Sequence, residues 1–446
     1  MRTPLLVAAL LCAASTVHAA GPALTVYTSD LGFVRETRTL DGRTGRDTLR
    51  LENVSNRLDF SSVRLAPLQG SVTRLAYRWD TASGDAFVER AVGLRVRVTS
   101  RGDRVAEGQL VAADGSWLVV RGDDGSIATL SRAAVEEVRL AKSPGSLSLR
   151  PAIEAVLEGV KGSTSAELSY LTAGLSWSCE HLLVRTGENT GVWSARVFVE
   201  NTTGRNYDNA RLKLVAGEPA RAGGGVPVPQ PMMMRTMAMS AEAGDGMAKL
   251  AEAAFADFHL YTLPGTATLR DRESQSLVMI DPRPVKLAPR YLYRGGDPRG
   301  VAMQLELVND DKGGPGVPLP AGRVRCFQPD DDKDLQFTGE TTLKHAAVGE
   351  KVTLDLGYAF DLVGERKTTV DRRISDRERE YGVEIRLRNR KTVAAKVVVE
   401  EAAGGDVTVT AQSAPSVRKD ANTLQWTFDL APGKEVVLTY TARQRW

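Results

Sequence analysis

Apolar and polar residues alternate one by one through most of this chain. Leu424, Trp426, Phe428 and Leu430 are interleaved with Gln425, Thr427 and Asp429, and Val383, Ile385 and Leu387 with Glu384, Arg386 and Arg388. Trp193, Ala195, Val197 and Val199 alternate with Ser194, Arg196 and Glu200, and Val352, Leu354 and Leu356 with Thr353 and Asp355. Successive side chains of a strand point to opposite faces, so each run predicts a strand with one buried and one wetted face. Strands of this kind, separated by Gly, Asp and Asn turns, build antiparallel sheets with one solvated side. The predicted fold class is all-β, a multi-domain set of antiparallel β-sandwiches.

Residues 22–80 read as several short strands, Leu49-Arg50-Leu51 among them. Residues 86–142 read as about five more, with turns at Arg101-Gly102-Asp103 and Asp123-Asp124-Gly125. Short strands and tight turns there predict a small closed, SH3-like barrel, since closure removes exposed edges. From Ala166 to Val215 the alternation resumes, then breaks at Val226-Pro227-Val228-Pro229-Gln230-Pro231. Proline lacks the amide that a central strand must donate. A Met-rich stretch follows, and Met247, Leu250, Ala251, Ala254, Phe255 and Phe258 fall on one stripe of a helix. Two readings stand for this insertion: an excursion whose helix covers a sheet edge, or a partner-docking element. In the second, Met232, Met233, Met234, Met247, Leu250, Phe255 and Phe258 form a surface that repacks against varied ligands. Strands return at Tyr261 and run to the terminus.

A chain of 446 residues exceeds one ordinary core. The expected division is a signal peptide at 1–19, an N-terminal β region at 20–85 and the barrel at 86–145. A sandwich at 146–370 carries a flexible insertion at 222–258, and an Ig-like sandwich closes the chain at 371–446. The leader is read from Met1-Arg2, the short apolar core Leu5 to Cys12, and Val17-His18-Ala19, whose small residues suit cleavage after Ala19. That core is about half the ~20 residues a membrane span needs. The expected location is periplasmic or secreted.

Charge narrows the partners. Lys plus Arg number 58 against 55 Asp plus Glu, with no basic block, which argues against a nucleic-acid binder. Cys179 and Cys326 are the cysteines beyond the leader. In an oxidising compartment they could form a disulfide; the alternative is two buried, unreactive thiols.

No Gly-x-Ser-x-Gly, His-Glu-x-x-His, phosphate loop or paired Cys-x-x-Cys occurs, so no cofactor or metal is expected. Cys179 and His181 share a strand face, but neighbours two apart lie roughly 6–7 Å from each other, too far for nucleophile activation without a bulge. Asp330, Asp331, Asp332 and Asp334 match no calcium-loop spacing and read as a solvated hairpin tip. Asn201-Thr202-Thr203 is a formal glycosylation acceptor.

One stretch is recognisable as a whole. Glu167-Leu168-Ser169-Tyr170-Leu171-Thr172-Ala173-Gly174-Leu175-Ser176-Trp177 leads to Val199-Glu200-Asn201-Thr202-Thr203-Gly204 and then to Tyr207-Asp208-Asn209-Ala210. It resembles the bacterial domain of unknown function four-one-three-nine. Tyr261-Thr262-Leu263-Pro264, Gly357-Tyr358-Ala359-Phe360-Asp361, Arg388-Asn389-Arg390-Lys391 and Leu438-Thr439-Tyr440 continue the likeness in order, and Val54 to Val63 looks like the family's N-terminal region. The resemblance implies exported β-sandwich proteins without established activity. Mucoidy-inhibitor-like relatives add a coiled coil that this chain lacks. Tyr170, Leu175 and Trp177 have the size to fill a core, while Gly174 and Gly204 suit turns of positive φ. The expected function is a non-catalytic interaction or structural module of the cell envelope for protein or polysaccharide. The alternative is an extracytoplasmic hydrolase using carboxylates from distant loops.

Overall fold

The computed structural model describes residues 21–42, 46–81, 83–140, 148–217, 219, 251–255 and 258–446. Nearly all its regular structure is strand, and the alternating runs form strands with the faces expected of them. No helix among the described residues is long and apolar enough to cross a membrane. The chain divides into two compact units, one of residues 1–177 and 200–274, the other of 178–199 and 275–446.

The first unit is built on one large sheet. Its order is Ala251–Phe255, Phe258–Thr262, Tyr207–Ala216, Ala23–Tyr27, Gly32–Gly42, Gly162–Thr172 and Arg64–Pro67, with Ala267–Leu269 beside Tyr207–Ala216. Ala23–Tyr27 runs parallel to Tyr207–Ala216, a pairing that needs a long crossover, and here most of the unit lies between them. Leu24, Val26, Val34, Leu168, Tyr170, Leu212, Leu214 and Tyr261 are buried on one side of this sheet. A second sheet orders Arg46–Glu52, Ala152–Glu158 and Ser71–Arg78.

Residues 95–140 form the five strands expected of the small barrel, but the sheet stays open. Its order runs from Val135–Leu140 through Arg95–Ser100, Arg104–Ala113 and Trp117–Arg121 to Ile127–Ser131, whose outer members do not pair. The physical reason is a cover: helix Gly84–Arg90 brings Phe87 and Val88, with Ala91 just after it, onto the apolar face of Val96, Val98, Leu110, Leu118 and Val120. A sheet capped by a helix has no need to curl on itself. The sequence reading missed this helix, although its start is marked. Ser83 Oγ accepts from the Ala86 amide at 3.1 Å, with Asp85 in the first turn and Arg90 in the last.

Among its described residues the stripe ending at Phe258 is strand, not the expected helix. Ala251–Phe255 and Phe258–Thr262 form a hairpin, with Phe255 opposite Phe258 at its turn and Leu260 opposite Val215 in the neighbouring strand. An Ala-rich segment fits either period, and the free edge of Tyr207–Ala216 decides for strand by supplying backbone partners. Met232, Met233, Met234, Met247 and Leu250 lie outside the described residues.

In the second unit one sheet orders Glu273–Lys286, Thr190–Asn201, Leu175–Arg185, Gly322–Pro329 and Leu335–Leu343. A six-stranded sheet (Lys351–Tyr358, Val301–Val308, Ala288–Arg294, Ala395–Ala402, Thr423–Leu430, Val417–Asp420) packs on a four-stranded one (Leu362–Ser375, Glu378–Asn389, Glu435–Arg445, Asp406–Gln412). Their shared core holds Tyr293, Val383, Ile385, Leu387, Val397, Val399, Trp426, Leu438 and Tyr440. Glu401 is buried in it, bonded through both oxygens to Arg366 at 3.1 Å and accepting from Tyr440 at 2.7 Å. Gly295 makes room for that carboxylate, since a Cβ there would stand 1.4 Å from Glu401 Oε1.

The two cysteines are free and buried. Leu175–Arg185 pairs in parallel with Gly322–Pro329, placing Cys326 beside Leu183. Cys326 therefore sits four residues along from Cys179, roughly 13 Å at strand rise, and a disulfide tolerates no more than about 7 Å between Cα atoms. The register forbids the bridge.

Candidate functional site

The face of the large first-unit sheet that turns away from its core carries a cavity of about 860 Å³. Strand register assembles its lining in rows. Arg35, Ala23 and Arg211 are directly opposite one another across three strands; next come Phe33, Thr25, Lys213 and Thr262; then Tyr27, Val215 and Leu260. Directly opposed side chains of neighbouring strands stand about 5 Å apart, so each row is a continuous surface. Pro219 and Leu263-Pro264-Gly265 add to the wall. The volume falls in the range of roughly 300–1,000 Å³ typical of small-ligand sites.

The rows differ in chemistry. Three cations, Arg35, Arg211 and Lys213, gather in the first two rows, while Tyr27, Val215 and Leu260 make the third apolar. Among the described residues the cavity has no carboxylate in its lining. Arg35 reaches Glu167 on the far side at 3.9 Å, and both of those side chains are exposed. Burial pushes the Tyr27 phenol up, so it remains a neutral hydroxyl.

Beneath this face the same strands are fixed by a buried polar network. Glu36, next to Arg35 but turned to the opposite side, accepts from Arg205 at 3.0 and 3.2 Å and from Arg38 at 2.8 Å. The Arg205 guanidinium lies 4.6 Å over the Tyr207 ring and 3.3 Å from the Tyr170 hydroxyl. Segment 54–63 docks here as well: Ser55 Oγ meets Thr172 Oγ1 at 2.6 Å, and Ser62 Oγ accepts from the Leu171 amide at 2.8 Å. Gly174 and Gly204 have φ of 91° and 77°, as their turns require, and a Cβ on Gly204 would strike Asn56 Nδ2 at 2.2 Å. Tyr170, Leu175 and Trp177 are buried core residues.

The residues singled out for chemistry fare differently. Cys179 and His181 are closer than backbone spacing implied, with Sγ 3.4 Å from Nε2, because the two side chains lean together. They are still no catalytic pair. Nε2 also lies 3.0 Å from the Pro320 carbonyl, which only accepts, so that nitrogen carries the proton and has no lone pair for the thiol. Burial pulls the imidazole down to about 4 and pushes the Cys179 thiol up to about 12.

Asp330 closes its own hairpin turn, accepting from the amides of Asp332 and Asp334 and from Gln336 at 2.7 Å. Among the described residues no group of three or more His, Cys, Asp or Glu is placed to hold a metal ion. Asn201 is buried, its amide donating to the Arg205 and Leu269 carbonyls, so the glycosylation triplet is structural. His345 Nδ1 accepts from the Ala321 amide at 3.1 Å.

Carboxylates with displaced pKa values are held down. Arg299 holds Asp297 at about 2, and at the smaller cavity of about 350 Å³ Glu306 is lowered, with Lys351 at 2.8 Å and Arg290 at 3.0 Å outweighing its burial. A general acid needs the opposite displacement.

A family model described as "Domain of unknown function (DUF4139)" matches residues 166–446, so segment 54–63 lies before the matched span. No curated protein matches the chain.

Proposed function

The chain belongs to the DUF4139 family, and we propose that it is a non-catalytic binding module of the cell envelope, with the first-unit cavity as its binding surface for an anionic ligand. The observation that carries this reading is a cavity of about 860 Å³ whose lining, among the described residues, holds three cations and no carboxylate. Converging cations beside an apolar floor attract an anion and hold it in a partly dry site, where charge interactions are stronger than in water. The extracytoplasmic setting rests on the leader pattern Met1-Arg2, Leu5 to Cys12 and Val17-His18-Ala19, residues outside those described. The hydrolase alternative draws less support, since Asp297 and Glu306 are ion-paired and lowered rather than raised.

The test is expression of the full chain in an exporting host, N-terminal sequencing of the product, and calorimetry against anionic envelope extracts. A mature chain beginning at Ala20 is expected, with binding that the double variant Arg211→Ala/Lys213→Ala loses. Retention of Met1 in the cytoplasm would remove the envelope placement. Equal binding by wild type and the double variant would remove the cavity as the site.

A further inference from the structure

We propose that this cavity takes a single-chain acyl carboxylate, its head on Arg35, Arg211 and Lys213 and its tail running along the strands to Tyr27, Val215 and Leu260. The inference rests on the binding reading above and adds the ligand class. It follows from where polarity changes on the face. Ala23, Thr25 and Tyr27 are successive same-face residues of one strand, and their rows pass from two arginines through a lysine to none. The change from charge to grease therefore takes place over four residues, roughly 13 Å of strand. An acidic polysaccharide carries a negative charge on every acidic sugar and needs cations along its whole length. This face concentrates them at one end. A guanidinium pair matches the two oxygens of a carboxylate in geometry as well as charge. The row of Tyr27, Val215 and Leu260 carries no charge and offers a methylene chain mainly apolar contact. A cavity of about 860 Å³ holds one such chain, whereas a two-chain phospholipid is larger than the space.

Titration of the full mature chain with saturated carboxylates from hexanoate to palmitate, below their micelle concentrations, tests this. Each added methylene should tighten binding by up to about fourfold, the equivalent of ~0.8 kcal/mol, until the tail outgrows the cavity and the gain stops. The alcohol of matched length, lacking the head charge, should bind at least about tenfold more weakly. Arg211→Ala/Lys213→Ala should weaken every length by a similar factor, and Leu260→Ser should flatten the length dependence while leaving the shortest members unchanged. Circular dichroism of each variant separates lost binding from lost folding.

A carboxylate series with no length dependence, or one indifferent to the cation substitutions, would overturn the proposal. Binding of oligouronate but not of the carboxylates overturns the ligand class and leaves the binding module standing. Failure of both probes, with wild type and double variant alike, overturns the two together.

Discussion

Two sheet faces, one in each unit, carry arginines at regular spacing and use them differently. On the four-stranded sheet of the second unit Arg388 meets Glu435 at 2.6 Å and Glu365 at 3.3 Å, and Arg386 meets Glu384 at 2.8 Å. Arg372 and Arg443 share Glu380 at 2.7 and 3.1 Å, and Arg445 reaches Glu378 at 3.3 Å. Each such exposed pair contributes little to stability, because water screens both partners. Their charge also guards the long outer strand Leu362–Ser375, exposed from Glu365 onward, against pairing with another sheet. On the first-unit cavity face Arg211 and Lys213 have no carboxylate within ion-pair distance among the described residues, and they stand beside an apolar floor. A ladder whose charges are neutralised in place keeps a surface soluble. Cations left open beside a hollow keep their capacity for a ligand.

The sharpest way to break this comparison is to reverse charge on both faces. Arg211→Glu/Lys213→Glu should weaken binding of an anionic ligand by at least about a thousandfold, read by calorimetry. Arg386→Glu/Arg388→Glu should leave binding unchanged and lower the urea midpoint only slightly, since these exposed charges are screened by water. A ladder variant that abolishes binding would locate the site in the wrong unit.

Within the second unit the buried pair should behave unlike the surface ladder. Glu401→Ala leaves Arg366 and Tyr440 without their acceptor and should cost about 3–5 kcal/mol in denaturant unfolding. A loss no larger than that of a ladder pair would show that burial adds nothing to this contact.

Acid should also separate the units. His181 is buried and neutral, pulled from 6.5 to about 4, so its unfolded form takes up a proton first as pH falls. Stability is then full above pH 6.5 and declines toward pH 4, by up to about 3 kcal/mol at ~1.4 kcal/mol per pH unit. The described histidine of the first unit, His259, is exposed. Urea midpoints at pH 7 and pH 4.5 for wild type and His181→Gln measure the effect, and an equal fall in both proteins would assign the acid sensitivity elsewhere.

Asn389 donates to the carbonyls of Val393, Leu430 and Ala431 and accepts from the Lys391 amide, so Asn389→Ala should cost about 1–3 kcal/mol. A thermal midpoint within error of wild type would refute this. The smallest effect is chemical: thiol labelling should find no cysteine in the native protein and two, Cys179 and Cys326, once it is unfolded without reductant. One modified thiol or none after unfolding would contradict the register that separates them.

Much of the fold was legible because alternation is a local signal. Each of the runs around Trp193, Val352, Ile385 and Trp426 could be read from a few residues, and each is a strand with its apolar side buried. Gly174 and Gly204 were legible for the same reason. One local signal went unread. Val199-Glu200-Asn201, Leu307-Val308-Asn309 and Leu387-Arg388-Asn389 each end a strand on a buried asparagine, or place it just beyond, and its amide ties neighbouring carbonyls together. A hydrophobic-x-Asn repeat at strand ends was the available sign.

The cavity left no such trace. Phe33-Val34-Arg35, Arg211-Leu212-Lys213 and Leu260-Tyr261-Thr262 each alternate in the ordinary way, and nothing in them shows that they share a face. By itself the sequence determined which side of each strand is dry, where turns need glycine, and that alternating strands dominate the chain. Only the tertiary structure decided that Ala23–Tyr27 lies parallel to Tyr207–Ala216, that Ala251–Phe255 and Phe258–Thr262 extend rather than coil, and that two cysteines on neighbouring strands stay apart. Register is a long-range choice among backbone partners, and it is register that sets Arg35 and Arg211 on either side of Ala23.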